Sequence, residues 1–418
     1  MTRNYSSTAL RHQVAQVLLL AVLLVSTSVL AQENAPDPLM ISRTDRLKVF
    51  EEVWQTVNKH FFDPDFNGVN WAQVREQYRS QVEAADNKNQ LNEALQKMLN
   101  ELRSSHLEIT VVVKLKKKAV EQGLARKVNR KESLSFDSGM KYERIDGKWV
   151  VSAIAEGSGA QAAGVQRGWE VTHWNGESAQ SDLPFTCELN QQVKVRFVDS
   201  RGEEKRLALT CKLYSEPPSP PERITRRLEN GTMYLRFTEF SPGTESWLTD
   251  QMIQAQTAPA IVMDLRDNQG GTVAVLEKCL APFFDAPMVL GEFRERNGKQ
   301  PQLKTKGQSN KAYRGRVIVL INEKTMSAGE IFAAALQETG RAVVVGRKSS
   351  GDVLGGMSYG LSQGFRVKIP VWDYHTAKGV RLEKRGVIPD EQVTLTLKDF
   401  LEHRDLDLER AQTLLQKK

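Results

Sequence analysis

The chain has 418 residues, 40% hydrophobic and 26% charged, with a formal net charge of +7. This length exceeds what one core fills, and the apolar share supports folded domains. Two or three soluble domains are therefore expected, while global disorder and a polytopic membrane protein are excluded. Three cysteines and six histidines show no CxxC or HExxH spacing, so neither a disulfide scaffold nor a metal site is indicated, and no cofactor is expected.

Residues 1–31 read as an export signal. Arg3, Arg11 and His12 precede the apolar run 17–25, and Val29, Leu30 and Ala31 form a small-residue cleavage pattern before Gln32. The run falls short of the roughly 20 residues a spanning helix needs, so cleavage is expected, with no stable transmembrane segment left. The chain is then periplasmic or otherwise exported. Removal takes two arginines and no acid, lowering the net charge by two. No cysteine stands at the cleavage point, which disfavours a lipoprotein. In an oxidising compartment Cys187 and Cys211 can pair and leave Cys279 free, although the sequence leaves the pairing open.

Residues 32–132 form an N-terminal helical region. Leu47, Phe50, Val53, Trp54, Val57 and Phe61 recur at three- and four-residue steps, until Asp63, Pro64, Asp65, Asn67 and Gly68 break the pattern. A second helix starts near Trp71. A third, near Leu91, carries Leu95, Met98, Leu99 and Leu102 on one side and runs through Ser105 and His106 into a strand-like stretch, 107–113. The basic run 114–118, continued by Arg126, Lys127, Arg130 and Lys131, lacks interleaved aromatics. It reads as a solvated face, and no nucleic-acid partner is expected.

Residues 133–213 change to short strand-like runs with turns. Trp149 to Ile154, the turn Glu156-Gly157-Ser158-Gly159, the small-residue stretch from Ala162 to Gly168, and Asn175-Gly176 follow one another in an order that resembles a PDZ domain. The resemblance implies capture of a peptide tail as an added strand, its carboxylate held on loop amides around Ser138, Gly139 and Met140. A β-rich spacer without a ligand is the plainer reading. A proline-rich linker, 214–222, follows, since successive prolines favour extended backbone.

Residues 223–418 alternate strand-like runs (233–237, 260–265, 316–321, 342–345) with helical patterns (245–254, 328–337), which predicts an α/β fold. Two loops carry candidate chemistry. One strand runs into Asp264, Leu265, Arg266, Asp267, Asn268, Gln269, Gly270 and Gly271, where paired glycines can turn amides toward a ligand. Another hands over to a helix whose first residue is Ser327, beside the helix's positive end. In isolation Ser327, with Glu330 three residues on, is more simply a capping box.

These loops, with Gly340-Arg341-Ala342, Val345-Gly346, Leu382-Glu383 and Gly386-Val387-Ile388-Pro389-Asp390, resemble the S41 serine peptidases, the family of the C-terminal processing proteases and the tricorn core protease. The resemblance extends to the N-terminal helices through Phe62-Asp63-Pro64 and Gly68-Val69-Asn70-Trp71. It implies a crotonase-like or ClpP-like spiral α/β core with an inserted PDZ domain. The lysine of the dyad-type members has no counterpart here, because Asp352 takes its place in Ser349-Ser350-Gly351-Asp352-Val353. The tricorn-like pattern fits Arg103-Ser104-Ser105-His106 and Leu382-Glu383. It implies Ser327 as nucleophile, His106 as base, Glu383 acting through Ser105, and an oxyanion hole from Gly271 and Ala328, with Gly270 a close alternative. Lys348, Lys324 and His375 are the substitute bases. The expected function is an exported serine endopeptidase acting on unfolded or tailed polypeptides. A catalytically silent peptide-binding adaptor and a hydrolase of non-peptide esters or amides are the rivals.

Overall fold

The computed structural model describes residues 40–111, 134–179, 187, 190–215 and 222–416. The export signal, the basic run and most of the proline-rich linker lie outside the described residues. Helices α1 (Arg43–His60), α2 (Trp71–Ala84) and α3 (Lys88–Asn100) open the chain. The Ser42 hydroxyl caps α1 by accepting the Asp45 N–H at 3.1 Å. The apolar repeats fall on the buried faces, with Phe50, Val53, Val57, Phe61, Leu91, Leu95, Met98, Leu99 and Leu102 all out of solvent. Trp54 and Trp71 lock α1 to α2, each indole N–H donating to the other's carbonyl at 3.0 and 3.2 Å. A turn through Ser105 and His106 then leads into β1 (Glu108–Val111), and residues 112–113 of the predicted strand lie outside the described residues.

The next module is a six-stranded sheet. Met140–Ile145, Lys148–Ile154, Glu170–Trp174, Gln192–Val198 and Glu204–Thr210 lie in that order, with Glu177–Ser178 beside the third. The helix Gly159–Ala162 packs across it over a core that includes Val151, Trp169, Val193 and Phe197. Cys187 and Cys211 are disulfide-bonded, and Cys279 is free and buried.

The remaining elements are β2 (Arg223–Arg227), β3 (Met233–Phe237), α4 (Thr244–Ala255), β4 (Ala260–Asp264), α5 (Val273–Leu280), β5 (Met288–Glu295), β6 (Gln302–Thr305), β7 (Arg316–Ile321), α6 (Ala328–Glu338), β8 (Val343–Gly346), β9 (Gly355–Gly360), β10 (Phe365–Thr376), β11 (Glu391–Gln392), α7 (Leu397–Leu401) and α8 (Leu406–Gln416). One sheet has the order β2-β3-β4-β7-β8-β11, parallel from β3 onward. The other, antiparallel, has the order β1-β10-β5-β6, with β9 also on β10. This is a mixed α/β fold with a helical N-terminal region.

The long strand β10 joins the N-terminal helices to the main α/β core. Its Phe365, Val367 and Ile369 share a core with α1, α2 and α3, while Tyr374 at its far end belongs to the main α/β core. At the C-terminus, Arg266 meets Asp405 at 2.6 Å and Asp407 at 3.1 Å, and Arg347 meets Asp407 at 3.0 Å. Arg167 of the β-rich module stacks 3.7 Å over the Phe400 ring and donates to the Phe400 carbonyl at 2.8 Å. The last elements thus fasten that module to the α/β core. No helix among the described residues is long and apolar enough to cross a membrane.

Candidate active site

The apolar run of β7 is buried through Ile321 and ends in a turn that sets up Ser327. The sequence predicts Ser327 as the first helical residue. It is instead the N-cap of α6, with φ 52° and ψ −122°. A non-glycine residue in this region stores about 1–3 kcal/mol, and surrounding bonds must hold it there. The Met326 N–H donates to the Asn268 carbonyl at 2.9 Å, and the Ser327 N–H is shared between the Asp352 carbonyl at 3.0 Å and the Glu330 carboxylate at 3.1 Å. The predicted Ser-x-x-Glu relationship is therefore present, with the glutamate side chain fully buried.

The glycine loop closes against this turn. Buried Asn268 donates to the Phe237 carbonyl and accepts the Gly270 N–H, both at 2.9 Å. Gly270 has φ 88°, and a Cβ there would lie 2.5 Å from the Ser327 Cβ and 3.0 Å from the Ala328 nitrogen, so only glycine fits. Its amide is occupied by Asn268. The N–H groups of Gly271 and Ala328 are engaged by no hydrogen bond among the described residues, and both residues line the cavity that holds Ser327.

The same cavity, about 600 Å³, is lined by His106. His106 also adopts a left-handed backbone, φ 56°. Behind it, Ser105 Oγ lies 3.2 Å from His106 Nδ1 and donates to Glu383 Oε2 at 2.9 Å, while the Ser105 and Val353 N–H groups donate to Glu383 at 3.2 and 3.1 Å. A carboxylate only accepts, so the Ser105 proton points to Glu383 and the Ser105 oxygen accepts from His106 Nδ1–H. This fixes the tautomer and leaves a lone pair on Nε2. Burial, then the Lys368 cation, hold the His106 pKa below its ordinary 6.5, so the ring is neutral at neutral pH.

Val273, Phe293, Ile331, Val353, Leu354 and Trp372 give the cavity apolar walls, and Glu239, Glu295 and Lys368 give it charged edges. The substitute bases stand elsewhere. Lys348 is exposed, Lys324 lines a different cavity, and buried His375 faces Asp373 at 3.4 Å. Asp352, at the position of the dyad lysine, contributes backbone contacts to Ser327 and Glu330. Sequence reading missed Lys368, because nothing in a strand's alternation signals that β10 passes beside His106.

Ser138, Gly139 and Met140 lie in the β-rich module, away from this cavity. The Ser138 carbonyl accepts the Ala160 N–H at 2.9 Å, the Gly139 carbonyl accepts the Ala155 N–H at 2.8 Å, and the Gly139 N–H donates to the Asp137 carboxylate. Met140 opens a strand that pairs, among the described residues, only with Lys148–Ile154.

Residues 231–393 match the family model for peptidase family S41, and residues 42–100 match that for the tricorn protease C1 domain. A carboxyl-terminal-processing protease of Synechocystis sp. is 25% identical over 384 residues, covering 87% of this chain and 85% of that protein. Among solved structures, the photosystem II D1 C-terminal processing protease superposes with a TM-score of 0.53 at 23% identity, over 85% of this chain and 94% of its own. Mature CPAF superposes with a TM-score of 0.67 at 11% identity, over 89% and 98%. The S41 match spans the stretch that supplies Ser327 and Glu383, and the tricorn C1 match precedes Ser105 and His106; the chain carries a peptidase family S41 region and is a serine-type peptidase similar to the carboxyl-terminal-processing proteases.

Proposed function

We propose that the protein is an exported endopeptidase that cleaves unfolded or tailed polypeptides through an acyl-enzyme on Ser327. The observation that carries this reading is the relay Glu383–Ser105–His106 ending on the cavity that Ser327 lines. A serine hydroxyl is hardly ionised at neutral pH and needs a base. His106 Nε2 takes the Ser327 proton as Oγ attacks the scissile carbonyl, and Ser105 with Glu383 stabilises the imidazolium that forms. The Gly271 and Ala328 N–H groups receive the developing oxyanion, a role in which one donor is worth about 3 kcal/mol. His106 returns its proton to the leaving amine, and water then repeats the sequence to release the acyl group. The occupied amide of Gly270 supports Gly271 as the second donor.

The β-rich module is proposed to take substrate tails in the PDZ manner, along the edge strand Met140–Ile145. The Asp137 carboxylate on the Gly139 amide would compete with a tail carboxylate there. Export is supported by the Cys187–Cys211 bond, which persists in oxidising compartments.

Mature protein treated with a serine-directed fluorophosphonate tests the reading. Labelling at Ser327, absent in Ser327→Ala, is expected, together with digestion of an unfolded protein. No labelling favours the silent adaptor. Labelling without digestion favours ester or small-amide hydrolysis.

A further inference from the structure

The mechanism above leaves unused the buried carboxylate that lies beside the nucleophile. Glu330 is 0% exposed and accepts four hydrogen bonds: from Ser349 Oγ at 2.6 Å, the Gly351 N–H at 2.7 Å, the Asp352 N–H at 3.0 Å and the Ser327 N–H at 3.1 Å. Each carboxylate oxygen takes two donors. A helix cap needs only the bond to Ser327, so a cap alone does not account for the other three.

Those three lead to the other catalytic arm. Gly351 and Asp352 donate to Glu330, and the next amide, Val353, donates to Glu383. Three successive N–H groups of one loop are therefore divided between the carboxylate beside the nucleophile and the carboxylate behind the base. The loop is pinned from its far side as well. Ser349 Oγ accepts the Val387 N–H at 2.7 Å, and the Gly351 carbonyl accepts the Lys384 N–H at 2.7 Å. A Cβ at Gly351, φ 82°, would meet the Gly386 nitrogen at 3.0 Å, so the two loops touch backbone to backbone.

We propose that Glu330 is a positioning residue for this reaction: it holds the strained turn at Ser327 in register with the Glu383–Ser105–His106 arm through the loop 349–353. The inference rests on the serine-peptidase reading above. Glu330 never touches substrate. Its part is to fix the Ser327 turn relative to the arm that carries the imidazole, and misplacement of reacting groups by about 1 Å lowers rates by about 10²-fold.

Glu330→Gln keeps volume and shape but turns an NH₂ toward one pair of donors, and Ser349→Ala keeps the carboxylate and removes one of its donors. Fluorophosphonate labelling rate, kcat and KM on a fluorogenic peptide, and folding by circular dichroism are measured for both variants and the wild type. Glu330→Gln is expected to lose about 10²-fold in labelling rate and kcat with KM within about threefold, and Ser349→Ala to lose about tenfold with the same pattern. Either folded variant with kcat within about twofold of wild type overturns the proposal. If Glu330→Gln does not fold, Ser349→Ala decides in the same terms. A wild type that is not labelled overturns the serine-peptidase reading and this inference with it, whereas a labelled wild type with unaffected variants overturns only the inference.

Discussion

The Ser105 hydroxyl donates to Glu383 at 2.9 Å across 278 positions of sequence, both groups buried. This contact joins the N-terminal region to the C-terminal part of the α/β core at the back of His106.

Glu383→Gln exchanges an acceptor for a group that is half donor, facing three donors. We expect a loss of about 10³–10⁴-fold in kcat with KM little changed, because the wrong imidazole tautomer is then favoured. Ser105→Ala, which leaves Nδ1 without its acceptor, should cost about 10²-fold or more. Steady-state kinetics on an unfolded substrate checks both, and equal activity in Glu383→Gln and wild type would remove the relay from the mechanism.

Gly270→Ala places a methyl against the Ser327 side chain and the Ala328 amide at a backbone angle that alanine adopts poorly. Labelling of Ser327 should fall by about 10²-fold, and unfolding in urea should show a loss of about 1–3 kcal/mol.

His106 is held below its ordinary pKa by burial first and Lys368 second. Acylation should therefore rise with a midpoint below 6.5. Lys368→Met removes the nearby cation, moves the midpoint up and lowers the labelling rate on the acid side relative to wild type. A midpoint that does not move, followed by labelling rate against pH, would separate Lys368 from the base.

Burial pushes the Glu330 pKa from 4.5 up to about 7, against the pull of its donors. Between those values the folded chain holds a proton that the unfolded chain has released, so stability declines as pH rises through this window and levels off above it. The contribution amounts to about 3 kcal/mol. Urea midpoints of the wild type should fall between pH 4.5 and 7, and Glu330→Gln should flatten that dependence.

Arg266 is the shared partner of Asp264, Asp405 and Asp407, with Asp264 and Asp407 buried. Arg266→Ala leaves both without a partner on this side and should destabilise the protein by about 3–5 kcal/mol, read from chemical denaturation.

Much of the core was legible because its strands are short apolar runs bounded by turn residues, as in β3 and β7, and its helices show clean periodicity, as in α3. The candidate site residues were legible as an ordered set of motifs, since no single residue outweighed its plainer reading. Ser327 does cap a helix, and its second character lies in a backbone angle that composition does not encode. β10 was not legible. Pro370 interrupts its pattern, and its two ends serve different cores, so the residues that bring Lys368 to His106 obey no one periodicity. Glu330 read as a cap because three of its four donors come from the loop 349–352, which meets it only in three dimensions.

The split origin of the proposed relay also bears on when the protein would become dangerous to its neighbours. Ser105 and His106 emerge before Ser327, and Ser327 before Glu383, so a chain that has not yet exposed and folded all four lacks the proposed relay. On the proposed mechanism, hydrolytic power arrives only with the folded tertiary structure, which spares the nascent polypeptide and whatever threads it from self-inflicted cuts.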